Sequence, residues 1–172
     1  VSTALSARNG LLIRNRTAFE NARRITRVVF DKTGTLTEGR FSVTRILPRT
    51  QNRRSGDDEA ARHHLLEQAA ALEQYSEHAL AQAVMEKVRE LDLDWPEAGD
   101  FRAEKGRGVF GRVEGRQTAV VSPRWIQDEG LAGPDGLVQP EEAETLVYVV
   151  QERKLIGTIG ISAVTLAELR YG

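Results

Sequence analysis

Val28-Val29-Phe30-Asp31-Lys32-Thr33-Gly34-Thr35-Leu36-Thr37 is the stretch on which the fold of this chain turns. Three apolar residues run straight into an acid, and a turn rich in Gly and Thr follows. This is the pattern of a short buried strand whose C-terminal end delivers Asp31 to a loop. In open α/β sheets ligands bind outside the carboxyl ends of strands, so a carboxylate placed there stands where chemistry is done.

Upstream, residues 1–27 predict a helical, basic segment, with Arg14, Arg16, Arg23, Arg24 and Arg27 crowded among few acids. Such a segment is either a solvated helix face or the flank of a membrane helix, where Lys and Arg accumulate. Downstream, 41–47 reads as a strand carrying β-branched Val43 and Thr44. The polar run 48–58 reads as a surface loop, with Asp58 placed to cap a helix over 59–72. A second helix is expected over 78–91, its apolar face made by Leu80, Ala83, Val84 and Val88. Beyond Trp95-Pro96 the pattern shortens into strands at 101–104, 109–114 and 117–121, with Gly115 at the last turn. A short helix begins at Pro123, a Gly/Pro loop fills 130–140, and two strands close the pattern at 145–151 and 155–161. Gly157 and Gly160 suit close packing or a bulge.

The composition narrows the function classes. The chain has 172 residues and a net charge of -1, which gives no electrostatic case for nucleic acid as a partner. It has no cysteine, so disulfides and thiolate metal sites are excluded. No apolar run reaches the roughly 18 residues of a membrane span, and the N-terminus does not read as a signal peptide. Beginning at Val1, the sequence is expected to be an excerpt or a processed chain, soluble as it stands.

A carboxylate at Asp31 can attack phosphorus, splitting a hard hydrolysis into two easier steps through an aspartyl-phosphate. Lys32 adds positive charge beside it, Thr33 and Thr35 offer hydroxyl donors, and Gly34 lets the turn expose backbone N–H groups to phosphate oxygens. Mg²⁺ would bridge phosphate and protein oxygens. The competing reading is a strand-end Asp that merely caps a turn.

The heptapeptide at 31–37, DKTGTLT, resembles the phosphorylation signature of P-type ATPases at all seven positions. The resemblance implies that Asp31 is phosphorylated by ATP, with Asp31 and Thr33 at the Mg²⁺ and Thr35 near the transferred group. Ser76-Glu77-His78-Ala79-Leu80 is similar to the Ser-Glu-His-Pro-Leu motif in the nucleotide-binding domain of the heavy-metal-transporting subclass. By that likeness His78 orients the adenine end of ATP, and Glu73 matches a nucleotide-contacting Glu. Ala79 departs from the family's Pro, which favours a first helical turn. Gly106-Arg107-Gly108 matches a Gly-x-Gly that lines the nucleotide pocket. On its own it reads as a glycine-rich hairpin, because strands rather than a helix follow it. The family's Gly-Asn pair falls at Val121-Ser122, where Ser122 keeps a hydrogen-bonding group. His63 and His64 are assigned no function.

Asn9-Gly10-Leu11-Leu12-Ile13-Arg14 resembles the family's link from the last core transport helix to the phosphorylation domain. That wording, with Ser122-Pro123, resembles the copper-transporting branch more than the zinc or cadmium branch. The implied fold is α/β: a partial Rossmann-like, haloacid-dehalogenase-like phosphorylation-domain segment, with a nucleotide-binding domain of antiparallel sheet flanked by helices. The expected division is 1–40 for the membrane flank and start of the phosphorylation domain, 41–160 for the nucleotide-binding domain, and 161–172 for the truncated return. Expected partners are ATP and the remaining phosphorylation, actuator and membrane domains of a pump whose cytoplasmic portion this would be. The Gly-Asp-Gly-x-Asn-Asp and Thr-Gly-Glu motifs of the family do not occur, so the Mg²⁺ site is incomplete and little turnover is expected. Two rivals stand beside this reading. One is a haloacid-dehalogenase-like phosphatase, which usually carries Asp at the position of Thr33. The other is a regulatory domain without catalysis.

Overall fold

The computed structural model describes residues 8, 10, 15, 17, 21, 24–27, 37–49, 58–132 and 136–165. The expected strand at 28–30 and its loop, Asp31 to Leu36, lie outside the described residues.

Six strands form one sheet: β1 (Thr37–Pro48), β2 (Ala98–Glu104), β3 (Gly108–Val113), β4 (Arg116–Val121), β5 (Glu144–Gln151) and β6 (Lys154–Thr165). Their order is β1-β6-β5-β4-β3-β2, and every neighbouring pair is antiparallel. Two helices, α1 (Asp58–Glu73) and α2 (Ala79–Glu90), lie between β1 and β2 in the chain, and a short α3 (Pro123–Asp128) lies between β4 and β5.

The strand sequences explain why both faces are covered. Val147 and Val149 of β5 join α1 and α2 in one core, whereas Leu146, Tyr148 and Val150, alternating with them, join Ile126 of α3 in another. A strand buried on both sides reads as a continuous apolar run. The α1 sequence is apolar on more than one side for a related reason. It packs on the sheet and on α2 at once, and the run Ala69, Ala70 and Ala71 is fully buried. Each large buried aliphatic, such as Leu65, Leu66 or Leu72, contributes on the order of 2 kcal/mol. Leu65 fits because of Gly157, where a Cβ would come within 2.8 Å of the Leu65 Cδ1 and 2.9 Å of the Leu47 carbonyl oxygen. The close-packing role expected of Gly157 is therefore present.

Several boundaries differ from expectation by a few residues. The second helix starts at Ala79, not His78, because His78 sits in extended backbone and caps the helix from outside. The last strand runs on to Thr165 because it pairs with β1 from Gly157↔Pro48 to Thr165↔Thr37. Thr37 at the start of β1 and Thr165 at the end of β6 thus lie side by side.

β1 is fastened to β5 by a buried charge. The Glu144 side chain is 1% exposed. It accepts from Thr44 Oγ1 at 2.8 Å and from Arg45 Nε at 2.9 Å, and Arg45 Nη2 completes the fork. The β1 register shifts between Val43 and Arg45, beside Gly160, whose missing side chain leaves room for the Glu144 carboxylate.

Candidate functional site

The loop from α1 to α2 gathers two of the expected residues. Glu73 ends α1 and is 7% exposed. Burial pushes its carboxyl up to about 7, against a hydrogen bond from Ser76 that favours the charged form. The same Ser76 oxygen accepts the backbone N–H of His78 at 3.3 Å. Ser76 therefore bridges Glu73 and His78, a part that the sequence reading did not assign to it.

His78 is exposed, and its Nδ1 accepts the Leu80 N–H at 3.2 Å as the N-cap of α2. An accepting Nδ1 carries no proton, so the neutral ring presents Nε2–H as a donor. Ala79 occupies the first helical position, where proline is favoured. The histidine cap forms without it.

The second group lies at the β2–β3 turn. Gly106 has φ +75 and Gly108 φ +142, both in the region that favours glycine. Gly108 has a structural reason as well, since a Cβ there would come within 2.7 Å of the Val121 Cα. At Gly106 a Cβ would meet nothing within 4 Å, so this is where the turn leaves room beside its backbone. Ser122 fastens the turn to β4: its Oγ donates to the Gly106 carbonyl at 3.2 Å, and its N–H donates to the Arg107 carbonyl at 2.9 Å. Its Oγ also accepts the Trp125 N–H at 3.4 Å as the N-cap of α3. The two groups are linked through β2, where Tyr75 rests on Phe101 with ring centroids 5.4 Å apart.

A cleft opens elsewhere in the fold. About 540 Å³ opens on the α3 side of the sheet, with Phe110, Ala119 and Trp125 among its lining. None of Glu73, His78, Gly106, Gly108 or Ser122 lines it. Its charges are paired within the fold, in a chain running Arg153–Glu129–Arg107–Glu104–Arg102. We take as the candidate site the α1–α2 loop and the β2–β3 turn, which carry the expected residues and are joined through the Tyr75–Phe101 contact. Among the described residues no group of three or more His, Asp or Glu could hold a metal ion. Asp31, Lys32, Thr33 and Thr35, with the Mg²⁺ expected at Asp31 and Thr33, lie outside the described residues.

The chain belongs to the haloacid dehalogenase-like hydrolase family, whose model matches residues 25–165. It is similar to a copper-exporting P-type ATPase B from Archaeoglobus fulgidus, 40% identical over 163 residues, covering 94% of this chain and 22% of that protein. A solved zinc-transporting PIB-type ATPase in the E2.Pi state superposes with a TM-score of 0.69 at 32% identity, covering 96% of this chain and 26% of that one. The N-domain of a copper-transporting P-type ATPase shares the fold at a TM-score of 0.52 and 24% identity, covering 72% of this chain and 99% of that domain. The chain spans about a fifth of the length of the curated relatives it matches. Among the described residues no helix is long and apolar enough to cross a membrane.

Proposed function

We propose that this chain is the aspartyl-phosphorylation and ATP-binding portion of a P-type pump for a heavy-metal cation, copper in preference to zinc. It would lie on the cytoplasmic side of the membrane and work with the pump's remaining phosphorylation, actuator and membrane domains. The observation that carries the reading is the passage from the acid to the sheet. DKTGTLT ends on Thr37, the first residue of β1, and Thr37 pairs with Thr165 at the far end of β6. A domain whose two ends leave side by side is suited to insertion within another domain, here the one that carries Asp31.

In this reading Asp31 is the nucleophile and Lys32 and Thr35 steady the charge that arrives with the γ-phosphoryl group. Asp31 and Thr33 would hold Mg²⁺, and a carboxylate with a hydroxyl is the hard oxygen set that this ion takes. Mg²⁺, when bound, neutralises charge on the phosphates. His78 and Glu73 face the adenine end of ATP, and Gly106, Gly108 and Ser122 shape the backbone against which the nucleotide lies. The residues fit such a ligand: His78 offers a donor, Glu73 a buried carboxyl, and Gly106 an open backbone. The isolated chain is expected to bind ATP with little turnover.

The test uses the full-length protein that carries this sequence. Incubated with Mg²⁺ and γ-labelled ATP, it should take up an acid-stable label that Asp31→Asn abolishes. Label that persists in Asp31→Asn, or none in the unaltered protein, would contradict the reading. Hydrolysis of a simple phosphate ester by the chain alone would favour a soluble phosphatase.

A further inference from the structure

We propose that Tyr75 is a base-stacking residue of this site and that it makes the site selective for purine nucleotides. The inference rests on the nucleotide reading above. Tyr75 is 47% exposed, the large apolar side chain that the fold leaves open among the described residues of 37–165. Leaving an aromatic ring in water forgoes the burial that the same ring would gain in a core.

The exposure is held in place. The Tyr75 N–H donates to the Leu72 carbonyl at 3.2 Å, and the Ser76 N–H donates to the Glu73 carbonyl at 2.9 Å. Both bonds fix the loop as it leaves α1. The ring is backed by Phe101 of β2, with centroids 5.4 Å apart and an interplanar angle of 44°, and the residue stays 47% exposed. Phe101 in turn packs against the α1–α2 core, so the support is rigid.

The neighbours say what would lie on that open side. Two residues before Tyr75 stands the buried Glu73 carboxyl, and three residues after it stands His78 with a free Nε2–H. A flat ligand with hydrogen-bonding edges suits a short loop that carries an exposed ring, a carboxyl and an imidazole donor. A purine base is such a ligand, and its larger π-face gains more from stacking than a pyrimidine does. Stacking a base on an aromatic side chain is worth ~1–3 kcal/mol, or roughly tenfold or more in affinity.

The test compares the unaltered 172-residue chain with Tyr75→Phe and Tyr75→Leu. Calorimetry gives the affinity for ATP and CTP, and proton NMR follows the adenine H2 and H8 signals. The proposal expects upfield ring-current shifts of H2 and H8 in the unaltered chain and in Tyr75→Phe. It expects both the shifts and the preference for ATP over CTP to be lost in Tyr75→Leu, with ATP bound about tenfold more weakly. The ring-current shift separates stacking from a purely structural role, because packing against Phe101 alone would leave the base signals unmoved. ATP binding by Tyr75→Leu with unchanged affinity and base shifts would overturn the role of Tyr75 and leave the nucleotide reading standing. Failure of the unaltered chain to bind ATP would overturn both.

Discussion

The Nδ1 of His78 accepts the backbone N–H of Leu80 at 3.2 Å, so one imidazole both starts α2 and turns its other nitrogen outward. Losing a cap costs about 1 kcal/mol, and an asparagine caps well. His78→Ala should therefore lower the melting temperature by roughly 3 °C, whereas His78→Asn should restore it. Both should weaken ATP binding by about tenfold, since neither keeps the Nε2–H donor. Thermal melts and calorimetry on the pair check this. A His78→Asn chain that binds ATP normally would assign His78 to capping alone.

Glu73 gives a pH dependence of unusual sign for a carboxylate. Its folded value of about 7 lies above the ordinary 4.5, so between those values the folded state holds a proton that the unfolded state has lost. Stability should fall as pH rises from about 4.5 to about 7 and then level off, by an amount on the order of 3 kcal/mol. Glu73→Gln should flatten that arm and exceed the unaltered chain in stability at pH 8. Denaturant titrations across this range decide it, and a stability that climbs from pH 5 to 7 equally in both chains would contradict the buried acid.

Glu144 shows the opposite case. The hydrogen bonds from Arg45 hold its carboxyl down to about 2, against burial, with help from the Glu141 N–H and Thr44. Its contribution is complete above about pH 4.5 and is lost as pH falls toward 2. Glu144→Gln should blunt the acid-denaturation arm in that window and lower the melting temperature by roughly 5 °C at pH 7. Melts of the two chains from pH 7 down to pH 3 measure it. Coincident acid arms would show that the clamp on β1 carries no stability.

Gly106 and Gly108 should part company on substitution. A Cβ on Gly108 would run into the backbone of Val120 and Val121, so Gly108→Ala should fail to fold or lose most of its stability. Gly106→Ala meets open space and pays only for its φ of +75, about 1 kcal/mol. It should fold and bind ATP less well if the open backbone faces the nucleotide. Circular dichroism melts separate the two, and a well-folded Gly108→Ala would contradict the β3–β4 packing.

Much of this was legible in the sequence where the signal is local. Gly115 marks a two-residue turn, and with Glu114 it does take positive φ at both positions, the geometry that joins antiparallel strands. The first helix followed from Asp58 as its cap and the second from its apolar spacing, and the α1–α2 loop from its resemblance to the Ser-Glu-His motif. Two features were not legible because distant contacts impose them. Glu152 and Arg153 also form a positive-φ turn with no glycine or asparagine to announce it. It is held by the Gln117 N–H on the Glu152 carboxylate at 2.6 Å and by Arg153 on Glu129. The Arg45–Glu144 pair spans 99 residues, beyond any periodic reading. Ser122 carried the helix-start signal of Ser-Pro, and its capping of α3 and its hold on Gly106 are what that signal describes. Tyr75 gave no signal, since a lone aromatic in a loop reads as core until its exposure is seen.

The central claim places ATP at the α1–α2 loop and the β2–β3 turn, away from the cleft beside α3. Titrating isotope-labelled chain with ATP and following backbone amide shifts tests it most directly. The account predicts saturable shifts concentrated at Glu73 to Leu80 and Gly106 to Gly108, with weak affinity on the order of 0.1–1 mM. Shifts concentrated instead at Arg112, Thr118 and Arg153, which line the cleft, would contradict it and move the site to the other face of the sheet.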